Sequence, residues 1–143
     1  MWILYALLAA VSAALVVVLT KAGLKNIDSS AAFAVQAIII LIITWTVVLL
    51  QPTDVSWKSL ETKTWALLIG AGIATTMSTL FSYKALSLGP ASYVVTIERT
   101  SLVIAVALAI IFLKEKLTWQ IVVGSIAIIG GAVLIALSDS SKQ

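Results

Sequence analysis

The chain has 143 residues, 62% of them hydrophobic and 10% charged, with a net charge of +3 and a mean hydropathy of +1.16. A water-soluble domain carries about 25% charged residues, so this composition excludes a soluble fold and predicts an integral membrane protein. The Lys and Arg residues are scattered, which argues against nucleic acid as a partner. With no Cys and no His, disulfides, thiolate chemistry, the usual proton shuttle and the commonest metal ligand are all absent, and neither metal nor cofactor is expected.

A spanning helix needs roughly 20 apolar residues to cross about 30 Å of hydrocarbon, and five segments qualify. The first runs over residues 2–20 and ends at Lys21-Ala22-Gly23-Leu24-Lys25; it has neither a basic start nor an obvious cleavage site, so it is predicted to be a retained helix. The second, 31–50, stops at Gln51-Pro52, and a polar connection follows. The third, 65–88, is closed by the structural junction Gly89-Pro90. The fourth, 91–113, ends at Lys114-Glu115-Lys116, and the fifth covers 117–137. Such runs are too long and too little alternating for a transmembrane β-barrel. The predicted fold is all-α: one domain over residues 1–143, a bundle of five transmembrane helices.

Small residues recur at helical spacing: Ala6, Ala10 and Ala14; Gly70 and Ala74; Gly124, Ala127 and Gly131. In lipid, close backbone approach is a main source of helix association, so these positions are expected at helix contacts, or at a dimer seam on the fifth helix. An odd number of helices puts the termini on opposite sides. Lys58, Lys63, Lys114 and Lys116 then face Lys21, Lys25, Lys84 and Lys142 across the membrane, a tie that leaves orientation uncoded by the positive-inside bias. Two readings stay open: an orientation fixed by other means, or insertion in both senses. The second would place two copies about an axis in the membrane plane, the inverted-repeat layout of many transporters. Trp2, Trp45, Trp57, Trp65 and Trp119 fall on the N-terminal side, as interfacial anchors do.

One stretch stands out: Thr96-Ile97-Glu98-Arg99-Thr100-Ser101 inside the fourth segment. Glu98 is the eighth residue of that helix, about 10–12 Å below its start, and is the one carboxylate well inside an apolar segment. A charge at that depth normally faces a bundle interior or a wet cavity. Neighbours on a helix point about 100° apart, so Glu98 and Arg99 cannot fully satisfy each other. Candidate partners are Thr75, Thr76, Ser78, Thr79 and Ser82 on the third helix and Gln36 on the second, or the Glu98 and Arg99 of an inverted second copy. Two readings of the pair compete, a working site and a buried clasp that fixes helix register. The third-helix hydroxyls divide similarly between lining a polar cavity and bonding back to their own helix. Glu115, just before the fifth helix, is read as structural, a carboxylate at a helix N-terminus.

Tyr83-Lys-Ala-Leu-Ser-Leu-Gly89-Pro90-Ala-Ser92, followed by Phe112-Leu-Lys-Glu115-Lys-Leu-Thr-Trp119-Gln and Gly124 with Ile129-Gly-Gly131, resembles EamA-type members of the drug/metabolite transporter superfamily, the short single-domain ones above all. Glu98-Arg99-Thr-Ser101 and the turn Lys21-Ala-Gly-Leu24 with Asp28-Ser29 add to the likeness. Lys114 stands where Gly is usual, and Gln36 where a basic residue is expected. The resemblance implies five helices per unit, two inverted units per transporter, a central site for small metabolites, and pairing of this chain with itself or with a similar protein.

The expected function is therefore that of a transmembrane transporter subunit in a prokaryotic inner or plasma membrane. It would move a small metabolite or drug-like solute by alternating access, as an inverted homodimer. Glu98 would be the coupling or cation-binding carboxylate, for a proton or another cation. Arg99 would be its counter-charge or an anion anchor, with Thr75, Ser78, Thr79 and Ser82 as polar lining. The rival is a non-transporting membrane subunit that stabilises or regulates a partner. An enzyme is not expected, for no nucleophile set or carboxylate cluster is present, and no recognisable filter suggests a channel.

Overall fold

The computed structural model describes residues 1–51, 61–114 and 118–140. The described chain is all helical: α1 (Trp2–Gly23), α2 (Ser29–Leu50), α3 (Thr62–Leu88), α4 (Ala91–Glu98), α5 (Ser101–Leu113) and α6 (Trp119–Ser140). Four stretches are long and apolar enough to cross a membrane, namely α1, α2, α3 and the span Ala91–Leu113 made of α4 and α5; the apolar run of α6, Trp119–Ile135, is shorter. Leu7, Ile38, Ile42, Ile73 and Ile104, each more than half exposed, present side chains suited to lipid. Pro52, Trp57, Lys58, Glu115 and Lys116 lie outside the described residues.

By contact the chain divides into two compact units, Met1–Leu88 and Gly89–Gln143. In the first, α3 packs against both α1 and α2. The close packing gathers at one end, where α1 finishes, α2 starts and α3 finishes. Leu24, Ser29, Tyr83 and Leu86 are its buried residues, and Leu86 is only 2% exposed. The sequence motif Lys21-Ala-Gly-Leu24 and the motif starting at Tyr83 meet there. Lys21 Nζ donates to the Leu86 carbonyl at 2.6 Å, satisfying an acceptor that the last turn of α3 leaves free.

That contact also explains the boundaries. α1 runs through Lys21 to Gly23 instead of stopping at residue 20, and closes with Leu24 N–H donating to the Thr20 carbonyl at 2.9 Å. α2 starts at Ser29 instead of 31 because Asp28 is its N-cap, accepting from the Ser30 N–H at 2.8 Å and also from the Ser30 hydroxyl. Those bonds, the hydroxyl's first and the backbone's next, hold the Asp28 carboxyl below its ordinary value.

In the second unit, α4 and α5 both pack against α6. Ala132 on α6 is buried at 4% exposure, and the Tyr93 and Ser138 hydroxyls of α4 and α6 lie 3.5 Å apart. The small-residue expectation needs correcting within the chain. A methyl group built on Gly70, Gly124 or Gly131 meets nothing within 4 Å, so these glycines do not bring two helices of one chain together.

The predicted fourth helix is present as one span, Ala91–Leu113, with an irregular turn inside it. Arg99 and Thr100 keep right-handed backbone angles, yet Thr100 N–H reaches the Ile97 carbonyl, Leu102 that of Arg99 and Val103 that of Thr100, each three residues back. This is a 3₁₀-type tightening inside a membrane span, a feature that often marks a hinge or local strain. Thr100 Oγ1 bonds the Ile97 carbonyl at 2.7 Å and Thr96 Oγ1 that of Ser92, also at 2.7 Å. Carbonyls beside the tightened turn therefore find donors without water.

α5 ends on Lys114 with φ 55° and ψ 34°, a left-handed residue at its C-cap. A side chain there crowds the carbonyl at a cost of about 1 kcal/mol, and glycine escapes it. Lys114→Gly is accordingly expected to stabilise the protein by about 1 kcal/mol, read as a raised midpoint of thermal unfolding in detergent. An unchanged or lowered midpoint would contradict the left-handed cap.

Candidate functional site

The tightened turn positions the charged pair. Glu98 closes α4 and is half-buried, whereas Arg99 caps it and is exposed. Within their unit, among the described residues, neither side chain forms an ion pair, as expected of neighbours that point apart along a helix. Ser101, the first residue of α5, is exposed next to them.

In the first unit, Thr75, Ser78, Thr79 and Ser82 follow one another at helical spacing along α3. Thr75 Oγ1 donates to the Ala71 carbonyl at 2.8 Å, Thr76 Oγ1 to that of Gly72 at 2.9 Å, and Thr79 Oγ1 to that of Thr75 at 2.8 Å. For these three the back-bonding alternative holds. Their protons are committed, and what they offer a solute is an acceptor lone pair. The hydroxyls of Ser78 and Ser82 make no hydrogen bond among the described residues, with Ser82 half-buried and Ser78 exposed. Ser12, Thr44 and Thr46, in α1 and α2, likewise spend their hydroxyl protons on their own helices.

Gln36 lies apart from that row. It lines a cleft of about 390 Å³ bounded by α1 and α2 and floored by Tyr83, with Leu19, Val35 and Ile39 among its apolar walls. Tyr83 is 4% exposed, its ring stands 5.5 Å from that of Phe33 at 60°, and its hydroxyl accepts from Thr20 Oγ1 at 3.3 Å. Sequence reading singled out Gln36 but missed Thr20 and the floor role of Tyr83. A hydroxyl near the end of α1 and an aromatic near the end of α3 carry no signal of their own until the turn between α1 and α2 brings those ends together. Gly89 and Pro90 separate α3 from α4, and the Pro90 carbonyl accepts the Val94 N–H at 3.2 Å.

Residues 1–137 match the EamA-like transporter family. The chain belongs to that family. An uncharacterized transporter in the cobO 3′ region of a Sinorhizobium species is 32% identical over 95% of this chain and 96% of its own length. An uncharacterized protein of Methanocaldococcus jannaschii is 33% identical over 71% of this chain and 72% of its own. No solved structure matches. As an EamA-like transporter family member with several long apolar helices, the chain is a multi-pass membrane protein. Family members of this kind are transporters and typically not enzymes. Among the described residues no group of His, Cys, Asp and Glu is placed to hold a metal ion.

Proposed function

We propose that this EamA-like chain is one half of a paired transporter that moves a small metabolite or drug-like solute across a prokaryotic inner membrane by alternating access. Residues 1–143 act as one five-helix unit, and the second half is an inverted copy of the same chain. Glu98 is the carboxylate that binds the coupling proton or another cation. Arg99 is its counter-charge or an anion anchor, and Thr75, Ser78, Thr79, Ser82 and Gln36 supply polar lining.

The observation carrying this reading is Glu98 itself, half-buried at a tightened turn inside a membrane span and, among the described residues of its unit, without an ion pair. Such a carboxylate is costly to hold in hydrocarbon, which a working site explains and a purely structural helix does not. Two further facts support it. The Sinorhizobium transporter aligns with this chain nearly end to end, so it too is matched by one five-helix length. The lysine tie across the membrane permits insertion in both senses.

The test is the location of the C-terminus. With a reporter fused after Gln143 in cells, the expected result is signal from both sides of the membrane in comparable amounts. Adding two lysines at the C-terminus should then drive it to one side and reduce the paired species. Signal from one side alone in the unaltered chain would overturn the inverted homodimer.

A further inference from the structure

We propose that the cleft bounded by α1 and α2 binds an uncharged amphipathic molecule, one that carries a carbonyl, amide or hydroxyl group on an apolar body. This inference shares Gln36 with the proposed polar lining but does not depend on Glu98, because the cleft is formed by the first unit alone.

Size and composition set the class. About 390 Å³ lies within the roughly 300–1,000 Å³ of small-molecule sites, and apolar walls with a few polar groups are their usual make-up. The polar groups here are Gln36, Thr20 and Tyr83, and all three are neutral. Gln36 is half-buried and its amide makes no hydrogen bond among the described residues, so it presents a donor and an acceptor together. The Tyr83 hydroxyl accepts from Thr20, which leaves its own proton to be donated.

Those facts discriminate between ligands. Among the described residues no charged side chain lines the cleft, so an ionic group entering it would lose hydration and gain no counter-charge from them. A plain hydrocarbon would fill the volume but leave the Gln36 amide unpaired, at the usual cost of an unsatisfied polar group. A neutral hydrogen-bonding head on an apolar body satisfies both. From Ala32 to Ile39 the cleft reaches about 10 Å along α2. The same chemistry occurs in a membrane-dissolved solute and in the ester region of a lipid.

The experiment reads binding directly. Purified protein held in an anionic polyacrylate amphipol, free of neutral detergent, is photolysed with a diazirine-bearing decanamide, and adducts are mapped by mass spectrometry. Expected is saturable labelling at Leu19, Val35 or Ile39, displaced by unlabelled decanamide but not by decanoate or decylammonium. Gln36→Leu should weaken half-saturation about tenfold, and Tyr83→Phe, which keeps the ring, a few-fold. Displacement by dioleoylphosphatidylcholine at low molar excess would assign the site to a lipid carbonyl, and its absence to a free solute. Labelling that rises linearly with probe, matches that of a decane diazirine, or ignores both substitutions would overturn the proposal. Because transport is not measured, failure here and failure of the Glu98 reading are separate events.

Discussion

Glu98→Gln is expected to reduce coupled solute flux in proteoliposomes to that of protein-free vesicles. The chain has no His, and of its carboxylates only Glu98 lies deep within an apolar span, so no neighbour in the span can take over a lost proton or cation site. Glutamine keeps the shape and reach of the side chain, replaces one acceptor oxygen by an NH2 donor, and loses the charge and the titratable proton. Nor should the substitution unfold the protein. A charged side chain at the centre of a spanning helix costs about 2.5–3.5 kcal/mol on insertion scales, so neutralising one that makes no ion pair among the described residues of its unit is not expected to cost stability. The measurement is the current evoked on a solid-supported membrane when a panel of small metabolites is presented under a pH gradient, with the melting temperature read on the same samples. Flux lost with melting unchanged or raised is the expected pair of results. A clasp predicts the converse, a lowered melting temperature with flux falling only as folded protein falls. Retained pH-dependent current in Glu98→Gln would remove Glu98 from the mechanism.

The helices were legible because span length and hydropathy are properties of local sequence, and in lipid the backbone has few alternatives to the helix. The irregular turn at Arg99-Thr100 was not legible. Neither residue is Gly or Pro, and both keep right-handed angles, so the change is one of hydrogen-bond partner and leaves no compositional mark. Helix ends moved by a turn where tertiary contacts decide them, as with Lys21 reaching Leu86. The left-handed cap at Lys114 follows from how α5 ends, and a lysine in the sequence gives no sign of it. The threonines of α3 show the limit of counting hydroxyls. Their number suggested a polar lining, yet the protons of Thr75, Thr76 and Thr79 go to their own helix. Gln36 could be chosen from sequence because an amide in an apolar helix is costly. Thr20 and Tyr83 could not, because their relation is made by a turn.

Tyr83→Ala is expected to be the most destabilising single change in the first unit, by about 2–4 kcal/mol. The residue is 4% exposed at the end of the first unit where α1, α2 and α3 pack closely. Lipid tails are as apolar as a protein interior, so little transfer energy is lost on truncation; what remains is the cavity and the contacts that lined it. Those contacts are the tilted ring pair with Phe33, of a kind worth about 0.5–1.5 kcal/mol, and the Thr20 hydrogen bond, whose 3.3 Å length puts it at the weak end of about 0.5–1.5 kcal/mol. Removing the ring removes all of them. Tyr83→Phe keeps the ring and the packing and should cost under about 1 kcal/mol. The two variants, with Phe33→Leu and the Phe33→Leu, Tyr83→Ala pair, form a cycle read by thermal unfolding in one detergent. A coupling energy near zero between positions 33 and 83 would show that the rings are merely close. If Tyr83→Phe cost as much as Tyr83→Ala, the hydroxyl and not the ring would be holding the three helix ends together.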